Sequence, residues 1–155
     1  MRSVPNEIDI DPSAETAGAS KGGEAAGLPR ILMAEDNPIN QRVGRLILQR
    51  AGFVIDVVQD GHQALEAHQK NPYNLILMDC QMPIMDGLEA CRQIRTLTSP
   101  QPIIVAVTAN ALVGERQRCL DAGMDDYLSK PFQAEQLIGV VRKWVGTLRN
   151  AVLNS

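Results

Sequence analysis

Several short apolar runs in this chain stop on residues that can carry charge or a hydroxyl. Ile31 to Ala34 is followed by Glu35-Asp36, Leu75 to Met78 by Asp79, and Ile103 to Val107 by Thr108; the shorter stretch Tyr127 to Ser129 is followed by Lys130-Pro131. If these runs are neighbouring strands of a parallel sheet, their terminators converge on the rim where such sheets bind ligands. Three carboxylates there would repel one another. Two unit charges ~4 Å apart cost about 4 kcal/mol at an effective dielectric near ~20. Lys130 is expected to neutralise one of them. A hard divalent cation, Mg²⁺ or Mn²⁺, is the simplest further compensation, because carboxylate and water oxygens suit it. The set then fits phosphoryl transfer. Asp79 is the candidate nucleophile, able to form an acyl phosphate. Lys130 would neutralise the transferred group, and Thr108 would donate a hydrogen bond to it.

Positioning these groups requires strands and helices in alternation. Asn37-Pro38 reads as a helix N-cap and first-turn pair, followed by Ile39, Val43, Leu46 and Ile47 at helical spacing and by Gly52 as a stop. Phe53 to Val58 reads as a second strand. Asp60-Gly61 is a turn, and a helix through Ala64, Leu65 and Ala67 ends at Asn71-Pro72. Asp86-Gly87 forms a turn and helix cap before Ala90 and Ile94. A fourth helix is expected from about Leu112 to Asp121, ended by Gly123, and a fifth carries Leu137, Ile138, Val141, Trp144, Val145 and Leu148. Strands that are continuous Val/Ile/Leu runs are buried on both faces, so the expected fold is α/β, an open doubly wound parallel sheet of five strands with five helices.

Composition narrows the function classes. The chain has 155 residues and a net charge of −3, with 45% apolar residues, so one soluble domain plus a tail is expected and nucleic acid is not. No apolar run is long enough to span a bilayer, and no secretory leader is visible, so no direct membrane contact and a cytoplasmic location are expected. The three cysteines, Cys80, Cys91 and Cys119, form no CxxC pair and read as buried, reduced thiols. His62 and His68 read as solvated or packing residues. Residues 1–28 are rich in Ala, Gly, Ser, Glu and Pro and read as a flexible tail or linker, 29–149 as the domain, and 150–155 as a C-terminal tail.

The segments AEDN (34–37), LILMDCQMPIMDG (75–87), VAVTANA (105–111) and DAGMDDYLSKPF (121–132), in this order, resemble a response-regulator receiver domain of two-component signalling. The resemblance covers residues 30–148. It implies a flavodoxin-like strand order 2-1-3-4-5 and a domain that catalyses its own phosphorylation and dephosphorylation rather than turning over substrate. It implies Asp79 as phosphoacceptor, Asp36 with Glu35 as the metal-binding acidic pair (Glu35 directly or through water), and the backbone carbonyl of Gln81 as a further metal ligand. Thr108 becomes the switch hydroxyl, Tyr127 the switch aromatic and Lys130 the phosphate-binding lysine, with a cis Lys130-Pro131 bond. Gln81 and Asn110 are expected to influence hydrolysis of the phosphoryl group.

Two other readings compete. An Asp-nucleophile Mg-dependent phosphatase of the haloacid-dehalogenase type would want an Asp two residues past Asp79, where Gln81 stands. A nucleotide-binding domain would want a Gly-rich loop where Glu35-Asp36-Asn37-Pro38 stands. Within the receiver reading, the motifs resemble receivers of hybrid sensor histidine kinases, whose parent chain can be anchored in the inner membrane; a free-standing response regulator is the alternative. Few residues follow the last helix, so a DNA-binding output is not expected there. The expected partner is a histidine kinase or a histidine-phosphotransfer domain, docking near the first helix at Ile39 and Val43. The expected state is a monomer or weak dimer.

Overall fold

The structure is a computed structural model that describes residues 28–98, 100–109 and 112–153. The chain divides into two units, Met1–Arg30 and Ile31–Ser155, and the fold below is that of the second. All but the last residue of the tail expected over 1–28 lies outside the described residues, as does Asn110.

Five strands alternate with five helices: β1 (Ile31–Ala34), α1 (Pro38–Arg50), β2 (Ile55–Val58), α2 (Gly61–Lys70), β3 (Leu75–Asp79), α3 (Gly87–Arg95), β4 (Ile103–Thr108), α4 (Glu115–Asp121), β5 (Asp126–Ser129) and α5 (Ala134–Leu153). The sheet order is β2-β1-β3-β4-β5, and each pairing is parallel. The expected doubly wound architecture is therefore the observed one.

Side chains of a strand alternate between the two faces, and here both faces are apolar. Leu32, Ala34, Ile76, Met78, Ile104 and Ala106 pack with Ala64 of α2, Ala90, Cys91 and Ile94 of α3, and Cys119 of α4. The odd-numbered set, Ile31, Met33, Leu75, Leu77, Val105 and Val107, packs with Leu48 of α1 and Leu137, Val141 and Val145 of α5. One sheet thus separates two cores. Tyr127 pairs in register with Ala106 and packs on the first face, the side of Cys80 and Cys119.

Helix starts follow their caps. The Asn37 carboxamide accepts from the backbone N–H groups of Ile39 at 2.8 Å and Asn40 at 3.3 Å, with Pro38 in the first turn. Asp60 accepts from Gln63 N–H at 2.8 Å and Asp86 from Glu89 N–H at 2.9 Å. Asp60 is therefore a cap as well as a turn residue.

Three element boundaries differ from the sequence reading. β2 begins at Ile55 because the Phe53 N–H is spent on the Leu48 carbonyl, 2.9 Å away, while Gly52 turns the chain at φ 97°. That left-handed glycine closure of α1 occupies residues that read as strand. α4 begins at Glu115 because Gly114, at φ 101°, reverses the chain just before it. α5 continues to Leu153, past the expected end at 149.

Candidate functional site

In this strand order the winding reverses between β1 and β3, which opens a crevice at their carboxyl ends. Glu35 follows β1 and Asp79 is the last residue of β3, so the two acids flank that crevice. Both are 5% exposed. Asp36, the next residue, is exposed. Each of the three offers a carboxylate oxygen, and these oxygens lie within 4.8 Å of one another. Asp79 and the Glu35-Asp36 pair, 43 positions away along the chain, are thus one acidic cluster.

Lys130, just beyond β5, reaches back across the sheet. Its Nζ lies 2.8 Å from Glu35 Oε1 and 3.1 Å from Asp79 Oδ2. Its one positive charge is shared between two carboxylates, and its backbone N–H donates to the Thr108 carbonyl at 2.8 Å, which holds the residue at the end of β4. The Lys130-Pro131 bond is cis. Three carboxylates and one ammonium leave the cluster net negative.

The two buried acids are not equivalent. Burial pushes Glu35 up, but Lys130, the Asn37 N–H at 3.1 Å and the more distant Asn40 amide outweigh it and hold its carboxyl below the ordinary value. Burial raises Asp79 as well, and there it wins. The Gln81 N–H at 3.0 Å and Lys130 oppose it, while the nearby Glu35 charge adds to it. Lys130 stands closer to Glu35, which also has more donors. Burial disfavours charge on Lys130 too, but the two acids outweigh it and raise its pKa, so it stays protonated. Asp79 is the acid whose charge is least compensated. Its Oδ1 accepts from the Gln81 N–H, and its carboxylate lies beside those of Glu35 and Asp36, a hard-oxygen environment that suits a divalent cation.

The floor of the site depends on glycine. A Cβ on Gly87 would overlap the Asp79 carbonyl oxygen. The Gly87 N–H instead donates to the Cys80 carbonyl at 3.2 Å, which draws α3 up to the end of β3. Between them the loop puts Ile84 at φ 70°, a region that β-branched residues rarely enter. Its side chain is 84% exposed.

Thr108 is the last residue of β4 and is fully buried. It lies on the same face as Tyr127, and its register partner is Ser129. Tyr127 is half-buried, and burial raises its phenol, with Cys119 and Glu115 adding to the effect. Gln81 is exposed. On α1, Ile39 and Val43 are 72% and 44% exposed. His68 is fully buried: its Nδ1 accepts from Tyr73 N–H at 3.1 Å and its Nε2 bonds to the Pro100 carbonyl at 3.0 Å, so it is a packing residue. Trp144 is half-buried and donates its indole N–H to Asp126 at 2.8 Å, which ties α5 to β5.

Sequence reasoning missed the contact between Cys80 and Cys119 and the burial of Glu115 beside them. No spacing rule links residues on β3 and α4. Among the described residues no helix is long and apolar enough to cross a membrane.

Comparison with known proteins places this geometry. The family described as the response regulator receiver domain matches residues 31–142. The sensor histidine kinase GacS of Pseudomonas protegens is 44% identical over 128 residues, which is 79% of this chain and 14% of that protein. The chain therefore spans only a small part of the relatives it matches. Among solved structures, the receiver domain of the sensor histidine kinase PA1611 from Pseudomonas aeruginosa, with magnesium coordinated in its active-site cleft, shares 43% identity at a TM-score of 0.71, covering 77% of this chain and 98% of that one. A chain from the co-crystal of the Saccharomyces cerevisiae histidine phosphotransfer protein Ypd1 and the receiver domain of Ssk1 shares 30% identity at a TM-score of 0.72, covering 78% and 91%.

Proposed function

We propose a function from one premise: this chain belongs to the response regulator receiver domain family. It acts in a phosphorelay, and Asp79 is its phosphoacceptor. The observation that carries the assignment is the arrangement around Asp79: a buried carboxylate at the end of β3, bridged by Lys130 to Glu35 and facing Asp36. An Asp79 oxygen attacks the phosphorus of a phosphohistidine, the P–N bond breaks, and the departing imidazole takes up a proton. The product is an acyl phosphate on Asp79. Lys130 meets the new negative charge, and Thr108 donates its hydroxyl to a phosphoryl oxygen. Tyr127, on the same face as Thr108, reports the change to the surface formed by α4, β5 and α5.

The acidic cluster suits a Mg²⁺ ion, with Mn²⁺ as a substitute. Asp36, Asp79 and the Gln81 backbone carbonyl would hold it, with Glu35 joining directly or through water. The ion supplies positive charge opposite the transferring oxygens, charge that a net-negative cluster cannot supply itself. The magnesium in the PA1611 receiver supports this reading. The donor is a histidine kinase or a histidine-phosphotransfer domain docking beside α1, where Ile39 and Val43 are exposed; the Ypd1 co-crystal supports that class of partner. The domain is cytoplasmic and belongs to a hybrid sensor histidine kinase.

Labelling with radioactive acetyl phosphate tests the assignment. Mg²⁺-dependent, acid-stable and base-labile label is expected on the intact chain. Chelation or Asp79→Asn is expected to reduce it at least about 100-fold. Undiminished label in the Asn variant overturns the role of Asp79.

A further inference from the structure

Beneath the acidic rim, on the face of the sheet that carries Thr108 and Tyr127, lies a group that the acceptor chemistry does not use. Cys80 follows Asp79 directly, and its Sγ lies 3.6 Å from the Sγ of Cys119 on α4. The two residues are 3% and 0% exposed. Glu115, at the start of α4, is also buried, and its carboxylate lies within 4.8 Å of both thiols. The third cysteine stands apart: Cys91 Sγ bonds to the Ala122 carbonyl at 3.3 Å.

We propose that Cys80 and Cys119 are a redox pair that closes to an intramolecular disulfide, fastening α4 to the end of β3 and slowing phosphorylation of Asp79. The second half rests on the acceptor role given to Asp79 above; the bond itself does not. Proximity is the first support. A disulfide needs the sulfurs at ~2.05 Å, so a closure of about 1.5 Å is required. The closure falls on α4, a short helix of seven residues that starts after the left-handed Gly114.

Location is the second support. The Cys80 N–H donates to the Val107 carbonyl at 3.0 Å, and the Cys80 carbonyl accepts from Gly87. A bond on its Sγ therefore restrains the backbone that holds Asp79. Tyr127 packs against the same cluster as both thiols. A covalent tie there fixes α4 against the end of β3, where Tyr127 also packs. Any change of state that moves α4 must then work against it.

The chemistry is thiol–disulfide exchange with a small disulfide such as oxidised glutathione. The Cys119 thiolate attacks one glutathione sulfur and expels a glutathione thiolate. The Cys80 thiolate then attacks the Cys119 sulfur of the mixed disulfide and expels the second. The two cysteines lose two protons and two electrons, and one oxidised glutathione becomes two reduced glutathiones. Both thiols are buried, so the reaction runs through opening of α4.

The test uses the full chain, folded and reduced, incubated with oxidised glutathione at about pH 8. One portion is labelled with acetyl phosphate and Mg²⁺ while folded; in the other, free thiols are alkylated in denaturant before intact mass and non-reducing peptide mapping. The expected product is a monomer that carries one alkyl group, on Cys91, where the reduced chain carries three, with the Cys80 and Cys119 peptides joined. Its labelling is slowed about fivefold or more and is restored by dithiothreitol. Cys119→Ala, or Cys80→Ser should the first variant not fold, loses both effects. Thiols that react only after denaturation, a different pairing, or a disulfide that leaves labelling unchanged would each overturn the proposal. A chain that forms the bond but takes no label even when reduced fails the acceptor assignment and not the thiol pair.

Discussion

The two ends of the sheet handle charge in opposite ways. At the amino-terminal end, Arg95 spends its guanidinium on four acceptors within 2.9 Å: the Gly123 and Pro102 carbonyls, Gln101 and Asp125. Asp125 uses the same oxygen to accept from Ile104 N–H at 2.9 Å. His68 nearby has both ring nitrogens bonded. At the carboxyl end, three carboxylates cluster and one lysine bridges two of them. One rim is a brace in which donors and acceptors match. The other holds unbalanced charge in place, and under the proposed function that imbalance is what would receive a cation and a phosphoryl group. Polar residues alone do not mark a functional site; the mismatch does.

The contrast breaks if damage to the brace does not destabilise the fold. Arg95→Met leaves Asp125 and two carbonyls short of a donor and is expected to cost about 2–3 kcal/mol in urea denaturation. Labelling of the folded fraction should stay near the wild-type rate. Wild-type stability in that variant would mean that the brace is decoration.

The acidic rim should respond in the other sense. Asp79 carries a raised pKa, so its ionised form is disfavoured in the folded chain. Asp79→Asn is expected to stabilise the metal-free protein by about 1–2 kcal/mol while abolishing labelling. A loss of stability would show that Lys130 already balances the cluster.

The smallest effect concerns His68. Burial lowers its pKa below 6.5, with the Arg95 charge adding to this and the Pro100 bond opposing it. The unfolded chain therefore binds the extra proton more readily. Stability from this residue is complete above pH 6.5 and falls as pH drops towards the folded pKa. Between about pH 7.5 and pH 5.5 the wild type should lose about 1 kcal/mol more than His68→Gln. Equal slopes would remove His68 from the brace.

Much of this was legible along the chain. Asn37-Pro38 and Asp86-Gly87 mark helix starts because capping chemistry is local, and the runs Leu75 to Met78 and Ile103 to Val107 are strands because both their faces are buried. Phe53 was harder, since its N–H could serve a strand or close α1, and the left-handed Gly52 decided for the helix. Leu112 and Val113 look helical, but Gly114 turns the chain before α4 begins.

The sequence by itself determined the alternation of strands and helices and the identity of the polar residues that end each strand, because period and capping depend on neighbours a few positions apart. Only the tertiary structure decided how those residues share charge: that Lys130 bridges Glu35 and Asp79, that Asp79 remains the undercompensated acid, and that Cys80 meets Cys119 across 39 positions. Those outcomes depend on sheet order and on burial, and both arise from contacts between segments far apart in the chain.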